Sequence, residues 1–383
     1  MDNIAGTKSS LTWAVHLSVL ALVALWVFPT VGLLVSSFRT TDQISTSGWW
    51  NSMFSSVQNV TLRTADPDDF RIERDGLYYV EGRLFDDGST SEIGVWGTSS
   101  REIDTYVAGD TADLGDGETI TVDAAGNYTW TGTEDQMSGR GQRVFATITA
   151  PPEFTFDNYR AMLFDPDNNE GMGKAFFNTL TVTIPATIIP ILVAAFAAYA
   201  LAWMEFPGRA LLIAAVVALL VVPLQLALIP LLKLHNQVGI GKGYLGVWLA
   251  HTGFGLPMAI YLLRNYMVGL PRDIIENAKV DGASDFQIFM KIILPLSFPA
   301  LASFAIFQFL WTWNDLLVAL VFLIDSSGET TVMTKQIVEL LGTRGGNWEI
   351  LATAAFVSIA VPLVVFFVMQ KYLVRGLLAG SVK

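Results

Sequence analysis

At 383 residues, 52% hydrophobic and only 15% charged, with a positive mean hydropathy, the chain has the balance of a multi-spanning membrane protein and not of a soluble enzyme. Its net charge of −12 is confined to one region, because residues 39–173 hold 24 Asp/Glu against 9 Arg, a balance of −15 that leaves +3 for the rest, and no basic surface points to nucleic acid. Cysteine is absent, which excludes disulfides, thiolate metal sites and a Cys nucleophile without identifying a compartment.

Residues 1–10 are mostly polar, and Leu11 to Val35 then form an almost continuous apolar run. At ~1.5 Å per residue this run can cross a hydrocarbon core of ~30 Å. A cleaved signal peptide would have a shorter apolar core followed by a small-residue cleavage site, so a retained first helix is expected, and residues 1–38 form a tail plus first span. His16 within it is expected to be packed or interfacial and not a ligand.

Residues 39–155 change character. Gly, Asp, Thr and Ser become frequent, and period-2 alternation runs over Gly76–Phe85, Glu118–Val122, Asn127–Trp130 and Arg143–Ile148. Turn chemistry at residues 86–88 and 125–127 separates them. A small antiparallel β domain is expected, a sandwich or half-barrel. Its Asp-rich loops suit Ca²⁺ in donor type, but no twelve-residue Ca²⁺ loop or nonapeptide repeat is present, so solvated acidic loops account for them. The Asn-x-Thr matches at Asn59 and Asn127 are patterns of low specificity. With no paired carboxylates, no Ser-His-Asp arrangement and no His in 39–173, a docking surface is expected here in place of a tethered enzyme.

Residues 156–383 return to membrane character. Spans are expected at about 174–203, 208–234, 243–267, 292–324 and 348–373, six with the first. Pro185, Pro190, Pro223, Pro230, Pro257 and Pro299 fall inside them. Such prolines survive where neighbouring helices satisfy the freed carbonyls, so a bundle with built-in bends is expected. The positive-inside rule sets the orientation. With the amino terminus inside, Lys8, Arg209, Arg272, Lys279, Lys291, Lys371, Arg375 and Lys383 are cytoplasmic, with Arg264 near a helix end. The external side of the core then holds only Lys174, Lys233, Lys242, Lys335 and Arg344, the long β insertion hardly counting in the rule. Both termini and the 268–291 loop are thus expected inside, and the β insertion outside.

Within that loop, residues 271–295 carry seven charged side chains between two apolar segments. Asp273 to Asp281 has helical spacing, with Ile274, Ala278 and Asp281 near one face and Ile275 beside them. Gly282 interrupts it at little steric cost, and a second short helix through Ile288 leads to Leu294-Pro295. Two readings stand on physics alone. One is a rigid surface helix that passes a push from a cytoplasmic partner into the bundle. The other is an ordinary amphipathic connector with Glu276 solvated.

The order Glu276-Asn277-Ala278, three residues, Gly282, nine residues, then Ile292, one residue, Leu294-Pro295 resembles the EAA motif of ABC importer permeases, with Asn277 where Ala is usual. The flanks resemble the carbohydrate, MalG-like branch: Phe154-Thr-Phe-Asp-Asn-Tyr159 before the second span, Ala198-Tyr-Ala-Leu-Ala-Trp-Met-Glu-Phe-Pro-Gly-Arg209 closing it, Trp313-Asn314-Asp315 in the fifth, and Gln370-Lys-Tyr-Leu-Val-Arg-Gly-Leu-Leu-Ala-Gly-Ser-Val-Lys383 at the end. The match covers 154–383 plus the first helix and leaves out 40–150. Large insertions in the first external loop resemble those of some α-glucoside permeases.

The resemblance implies an all-α membrane bundle of six transmembrane helices, the type I ABC importer permease fold, with an extracytoplasmic β domain inserted between helices 1 and 2. It implies a multi-pass protein of the bacterial cytoplasmic (inner) membrane, a transport subunit with no chemistry of its own. A second, MalF-like permease completes the pathway, two ATPase subunits bind ATP and Mg, and an external binding protein delivers a sugar; this chain binds no cofactor. Carried over by position, Glu276 makes a charge-assisted contact to a basic ATPase residue, Ala278 allows close packing and Gly282 sets the turn. Asn277, Asp281, Ala283, Leu294 and Pro295 complete the coupling motif. Leu378, Ala379, Gly380, Ser381, Val382 and Lys383 resemble the tail that reaches between the ATPase subunits. Consistent with nucleotide binding elsewhere, G-x-x-x-x-G-K-[ST] is absent.

An intramembrane polar residue is a candidate functional site. Gln308, Trp311, Trp313, Asn314 and Asp315 form the best cluster, since rings stack on a sugar and amides or carboxylates bond its hydroxyls. The alternative is a Trp belt with Asn314 and Asp315 holding helices together. Asn178, Gln225 and His251 are weaker candidates. Two competing functions are compatible with the sequence: permeation of a different polar solute such as a polyol, and a nucleotide-independent secondary transporter. The latter needs buried ionisable groups and has inverted repeats as its frequent companion; Asp315 is the sole candidate carboxylate and no repeat is evident.

Overall fold

The first apolar run forms one helix, α1 (Ser10–Ser36), with side chains exposed along nearly its whole length. A helix apolar on every side and this exposed is suited to lipid. The computed structural model describes residues 10–86, 88–164, 171–324, 327–343 and 347–379, and the chain divides into compact units 1–158 and 159–383.

In the first unit a stem follows α1. The short helix α2 (Thr41–Thr46) is capped by Thr40, and Arg39, 2% exposed, donates to Gln43 O at 2.6 Å, Ser47 O at 3.0 Å and Ser47 Oγ at 2.6 Å. With carbonyls and a hydroxyl as these partners, burial pulls the Arg39 guanidinium below its ordinary pKa. The two ends of the insertion are pinned together: Thr155 N donates to Phe38 O at 2.7 Å, and Asn158 Nδ2 donates to Ser37 O and Arg39 O at 3.0 and 2.9 Å.

Beyond the stem, nine strands form two antiparallel sheets: β1 (Ser56–Arg63), β2 (Ile72–Arg74), β3 (Leu77–Arg83), β4 (Glu92–Gly97), β5 (Tyr106–Val107), β6 (Thr111–Gly115), β7 (Glu118–Val122), β8 (Asn127–Gly132) and β9 (Arg143–Ala150). Their orders are β1-β9-β4-β5 and β2-β3-β8-β7-β6. Both contribute to one core, including Val80, Trp96, Ile120, Trp130 and Val144, which makes the domain a sandwich. The buried Trp130 indole donates to Glu118 Oε1 at 2.8 Å. A single turn, α3 (Pro67–Phe70), follows β1. The aspartates act as turn groups: Asp66 accepts from Gly141 N at 2.7 Å, Asp113 from Gly115 N at 2.9 Å and Asp123 from Asn127 N at 2.8 Å.

The helix α4 (Asp157–Leu163) leads toward the second unit. There α5 (Met172–Trp203), α8 (Tyr244–Val268) and α15 (Trp348–Ala379) are long, unbroken apolar helices. With α1 they make four candidate spans. The expected 208–234 span is instead broken into α6 (Arg209–Leu219) and α7 (Leu224–Gln237), bent by 111°. Pro223 caps α7, and having no N–H it cannot continue α6. The expected 292–324 span is likewise several pieces. A rod over Asp285–Leu296 meets α12 (Phe298–Trp313) at 69°, and a separate short helix, α13 (Leu317–Phe322), follows. Counting each bent pair as one span gives six. An unforeseen helix, α14 (Met333–Thr343), buries Met333 and Leu340 in a core with Trp313.

Candidate coupling elbow and pathway residues

The charged loop after α8 folds into α9 (Arg272–Val280). Its end is a Schellman motif. Gly282 N donates to Lys279 O and Ala283 N to Ala278 O, both at 3.0 Å, with Gly282 at φ +81°. The next helix, α10 (Asp285–Ile288), opens at once with a capping box, Ser284 N to Gln287 Oε1 at 2.9 Å and Gln287 N to Ser284 Oγ at 3.3 Å. A π turn over Phe289–Ile293 and α11 (Leu294–Leu296) continue the rod. Leu294 N donates five residues back to Phe289 O, widening the helix where Pro295 would otherwise clash with the carbonyl four residues earlier.

The elbow is anchored. Ile275, Ile288, Phe289 and Ile293 share one core with Ala194, Ala198 and Tyr199 of α5, Ala259 and Leu263 of α8, and Leu301 and Phe304 of α12. Phe289 lies 4.7 Å from the Phe196 ring and 5.2 Å from Tyr199. The small residues of α5 let the helices approach closely. Ile275 is the buried residue of α9 and Ile274 is exposed, so the buried face is turned by one position from the expected Ile274 face. Ala278, Ala283 and Leu294 pack half-buried against the same core.

The outward face presents Glu276, Asn277, Asp281 and Pro295. Sequence reasoning missed its apolar part: Val280 is 87% exposed and Phe286 63% exposed, one residue group on either side of Gly282. Their signal was a hydrophobic residue off the buried stripe of a strongly charged loop. Of the candidate tail, Leu378 and Ala379 end α15, and Gly380, Ser381, Val382 and Lys383 lie outside the described residues.

The intramembrane cluster does not converge on one surface. Trp313 is 1% exposed; its ring stacks on Phe309 at 5.7 Å and its Nε1 donates to Ser358 O at 2.9 Å. Gln308, also 1% exposed, donates to Ala186 O at 3.1 Å. These acceptors have a common origin. Ser358 and Ala186 lie four residues before Pro362 and Pro190, which sit inside α15 and α5 and have no N–H to give them. Trp248, which sequence reasoning did not single out, repairs a third: its Nε1 donates at 2.9 Å to Thr181 O, four residues before Pro185. Gly255 makes room for Gln308, since a Cβ there would lie 2.7 Å from its Oε1.

Asp315 caps α13, accepting from Val318 N at 3.3 Å and Ala319 N at 3.1 Å. His251 Nε2 stands 3.7 Å from its Oδ2. Asn178 clips helices, donating to Glu329 O and Thr331 O at 2.9 Å and accepting from Tyr244 OH at 2.8 Å. Only Trp311 and Asn314 of the cluster are exposed. Trp311 lines an apolar cleft of about 370 Å³ beside Leu220, Phe254 and Pro257, at the break between α6 and α7.

The model of one family, the binding-protein-dependent transport system inner membrane component, matches residues 175–378. Over 381 residues the chain is 59% identical to the alpha-glucoside transport system permease protein AglG of Rhizobium meliloti, covering 98% of each. It is 58% identical over 249 residues to the osmoprotective compounds uptake permease protein GgtD of Synechocystis, covering 65% of this chain and 82% of that one. It is 34% identical over 238 residues to the trehalose transport system permease protein SugB of Mycobacterium tuberculosis, covering 61% and 84%. The insertion lies outside the family model, whereas an alignment covering 98% of the chain necessarily runs through it.

Proposed function

Because this chain belongs to the family of binding-protein-dependent transport system inner membrane components, we propose that it is the permease subunit of an ATP-driven α-glucoside importer and forms half of the translocation pathway. The substrate class is supported by the likeness to the α-glucoside permease, which extends through the β insertion. A different polar solute, such as a polyol, is the second reading, favoured by the likeness to an osmoprotective-compounds permease.

The observation that carries the coupling role is the elbow itself. A helix with exposed Glu276, Val280 and Phe286 is buried on its other side by Ile275 and held at Gly282 to a rod that enters α12. Such an element transmits a push because both of its turns have their hydrogen bonds satisfied. In this reading α9 docks into a cytoplasmic ATPase subunit, one of two, with Glu276 meeting a basic side chain and Val280 and Phe286 filling an apolar groove. The tail from Leu378 to Lys383 runs toward the same subunits. Both termini lie in the cytoplasm, the β sandwich lies outside and docks the sugar-binding protein, and a second permease completes the pathway. Trp311 and Asn314 face the solute; Gln308, Trp313 and Asp315 hold the scaffold around it.

The test is Gly282→Pro in proteoliposomes carrying both permeases, the ATPase subunits and the binding protein. Proline cannot adopt φ +81° and removes the N–H given to Lys279 O, a local cost of about 3 kcal/mol or more. The variant is expected to insert and assemble but to lose binding-protein-stimulated ATP hydrolysis and uptake. Normal stimulation and uptake would refute the coupling role. Competition of labelled uptake by α-glucosides against polyols decides the substrate class.

A further inference from the structure

A cleft of about 260 Å³ lies at the carboxyl ends of α5 and α8, under α9. Trp203, Arg209, Arg264, Arg272 and Lys279 line it, with the carboxylates of Glu205 and Glu276. Four cations line it against two carboxylates, and with Lys279 offset by Asp285 outside the cleft one positive charge is in excess. Among the described residues no ion pair forms between these groups. Lys279 pairs outward with Asp285 at 3.5 Å, and Arg209 donates to Met204 O at 3.1 Å. Two further donors have no acceptor: the Trp203 Nε1–H and the Arg264 Nε–H are buried and unpaired among the described residues. Buried N–H donors are rarely left without an acceptor, and both belong to residues that line this positively charged cleft.

Its position is as informative as its charge. Trp203 is the last residue of the long apolar helix α5, and α8 ends at Val268, so the cleft sits where two spans leave hydrocarbon. Trp is the residue favoured at that level, and basic pockets between spans at a membrane surface suit acidic lipid headgroups. Guanidinium forks match phosphate oxygens in geometry. We propose that this cleft binds a phosphate group, that of an anionic phospholipid, with Arg264, Arg272 and the Trp203 indole as its donors. Glu276 and Lys279 on the cleft wall belong to the coupling helix, so the bound lipid also fixes the seating of α9 against α5 and α8. The inference needs a membrane-embedded chain and not a particular sugar, and its test reads lipid retention, so its failure leaves the transport reading standing.

The experiment uses the assembled importer in nanodiscs of phosphatidylcholine with or without phosphatidylglycerol, read by native mass spectrometry and by the lipid concentration that half-saturates thermal stabilisation. Phosphatidylglycerol is expected to be retained in preference to phosphatidylcholine. Removing one cation should weaken its binding about fivefold, in Arg272→Gln and Arg264→Gln separately and more in the pair, while Lys291→Gln outside the cleft changes nothing. Arg272→Gln alone keeps the test decisive if Arg264→Gln fails to assemble. Displacement by excess inorganic phosphate would assign the phosphate chemistry to a soluble anion, and its absence to the lipid. Equal retention of the two lipids, or unchanged binding in Arg272→Gln, would overturn the proposal.

Discussion

The repair of proline-freed carbonyls can be isolated by a double-mutant cycle. Trp313→Phe keeps an aromatic ring against Phe309 and Phe176 but removes the Nε1–H given to Ser358 O. With Pro362 in place that carbonyl then has no helical donor, and an unsatisfied buried carbonyl costs ~1–3 kcal/mol. Pro362→Ala restores the missing N–H four residues on. In that background the same Trp313→Phe change loses only packing, a term common to both arms that cancels in the cycle. Interhelical hydrogen bonds in membrane bundles average ~0.6 kcal/mol with a maximum near ~1.7, so a coupling of about 1 kcal/mol is expected. Reversible unfolding of the purified permease in mixed detergent and SDS measures it. Gln308→Leu with Pro190→Ala should couple similarly, and Trp311→Phe with Pro362→Ala should be additive. Additivity within ~0.3–0.5 kcal/mol in the Trp313 cycle would sink the reasoning and return Trp313 to the pathway candidates.

Ile275→Ala should undock α9 from its core at a local cost of ~2–5 kcal/mol, seen as faster amide exchange over 272–283, whereas Ile274→Ala stays within ~0.5 kcal/mol. Asp315→Asn preserves a good helix cap and should leave uptake near wild type, while Asp315→Ala costs ~1 kcal/mol of stability; abolished uptake in Asp315→Asn would revive ion-coupled transport. Replacing 41–153 by a short Gly-Ser linker should leave a chain that inserts and binds the ATPase subunits, because Phe38 O and Thr155 N already lie 2.7 Å apart. Binding-protein-dependent uptake should then fall about tenfold, the loss of ~1.4 kcal/mol of docking energy, and unchanged uptake would exclude the docking role.

Legibility followed the physics of each element. The spans and the strands β3, β7, β8 and β9 carried clean periodicity and were readable. β1 was not, because its inward residues begin with Gln58, followed by Val60 and Leu62. β4 was hidden by a bulge between Ile93 and Val95, which breaks alternation at Gly94. Gly282 was readable as a turn because a left-handed residue after a helix leaves few alternatives to glycine. The breaks in the third and fifth spans were half readable. Prolines mark where a helix can break, but Pro185, Pro190 and Pro257 stay inside continuous helices. For Pro185 and Pro190 a distant Trp248 or Gln308 supplies the repair, a tertiary fact that no local pattern carries. For the same reason polar residues inside the membrane read as solute contacts until their acceptors are known.

These repairs also bear on how a push on α9 travels. Between Ser284 and Leu301 the backbone stays hydrogen-bonded on both sides of the corner, by Ile288 N to Ser284 O at 2.9 Å, Leu294 N to Phe289 O, Ser297 N to Ile293 O at 2.8 Å and Leu301 N to Ser297 O at 3.0 Å, while Pro295 and Pro299 donate none. The 69° bend thus centres on Ser297, whose own N–H and C=O are both bonded, to Ile293 O and from Leu301 N. Beyond it, α12 is tied to α5 through Gln308 and to α15 through Trp313. In the proposed coupling role, a displacement at α9 passes through α12 to α5 and α15 by bonds that attach four residues before Pro190 and Pro362. Helices weakened by proline deform most easily at those points. A ligand that stiffens the α9 seat and a variant that loosens Ser358 should accordingly shift coupling in opposite directions, even though neither touches the solute.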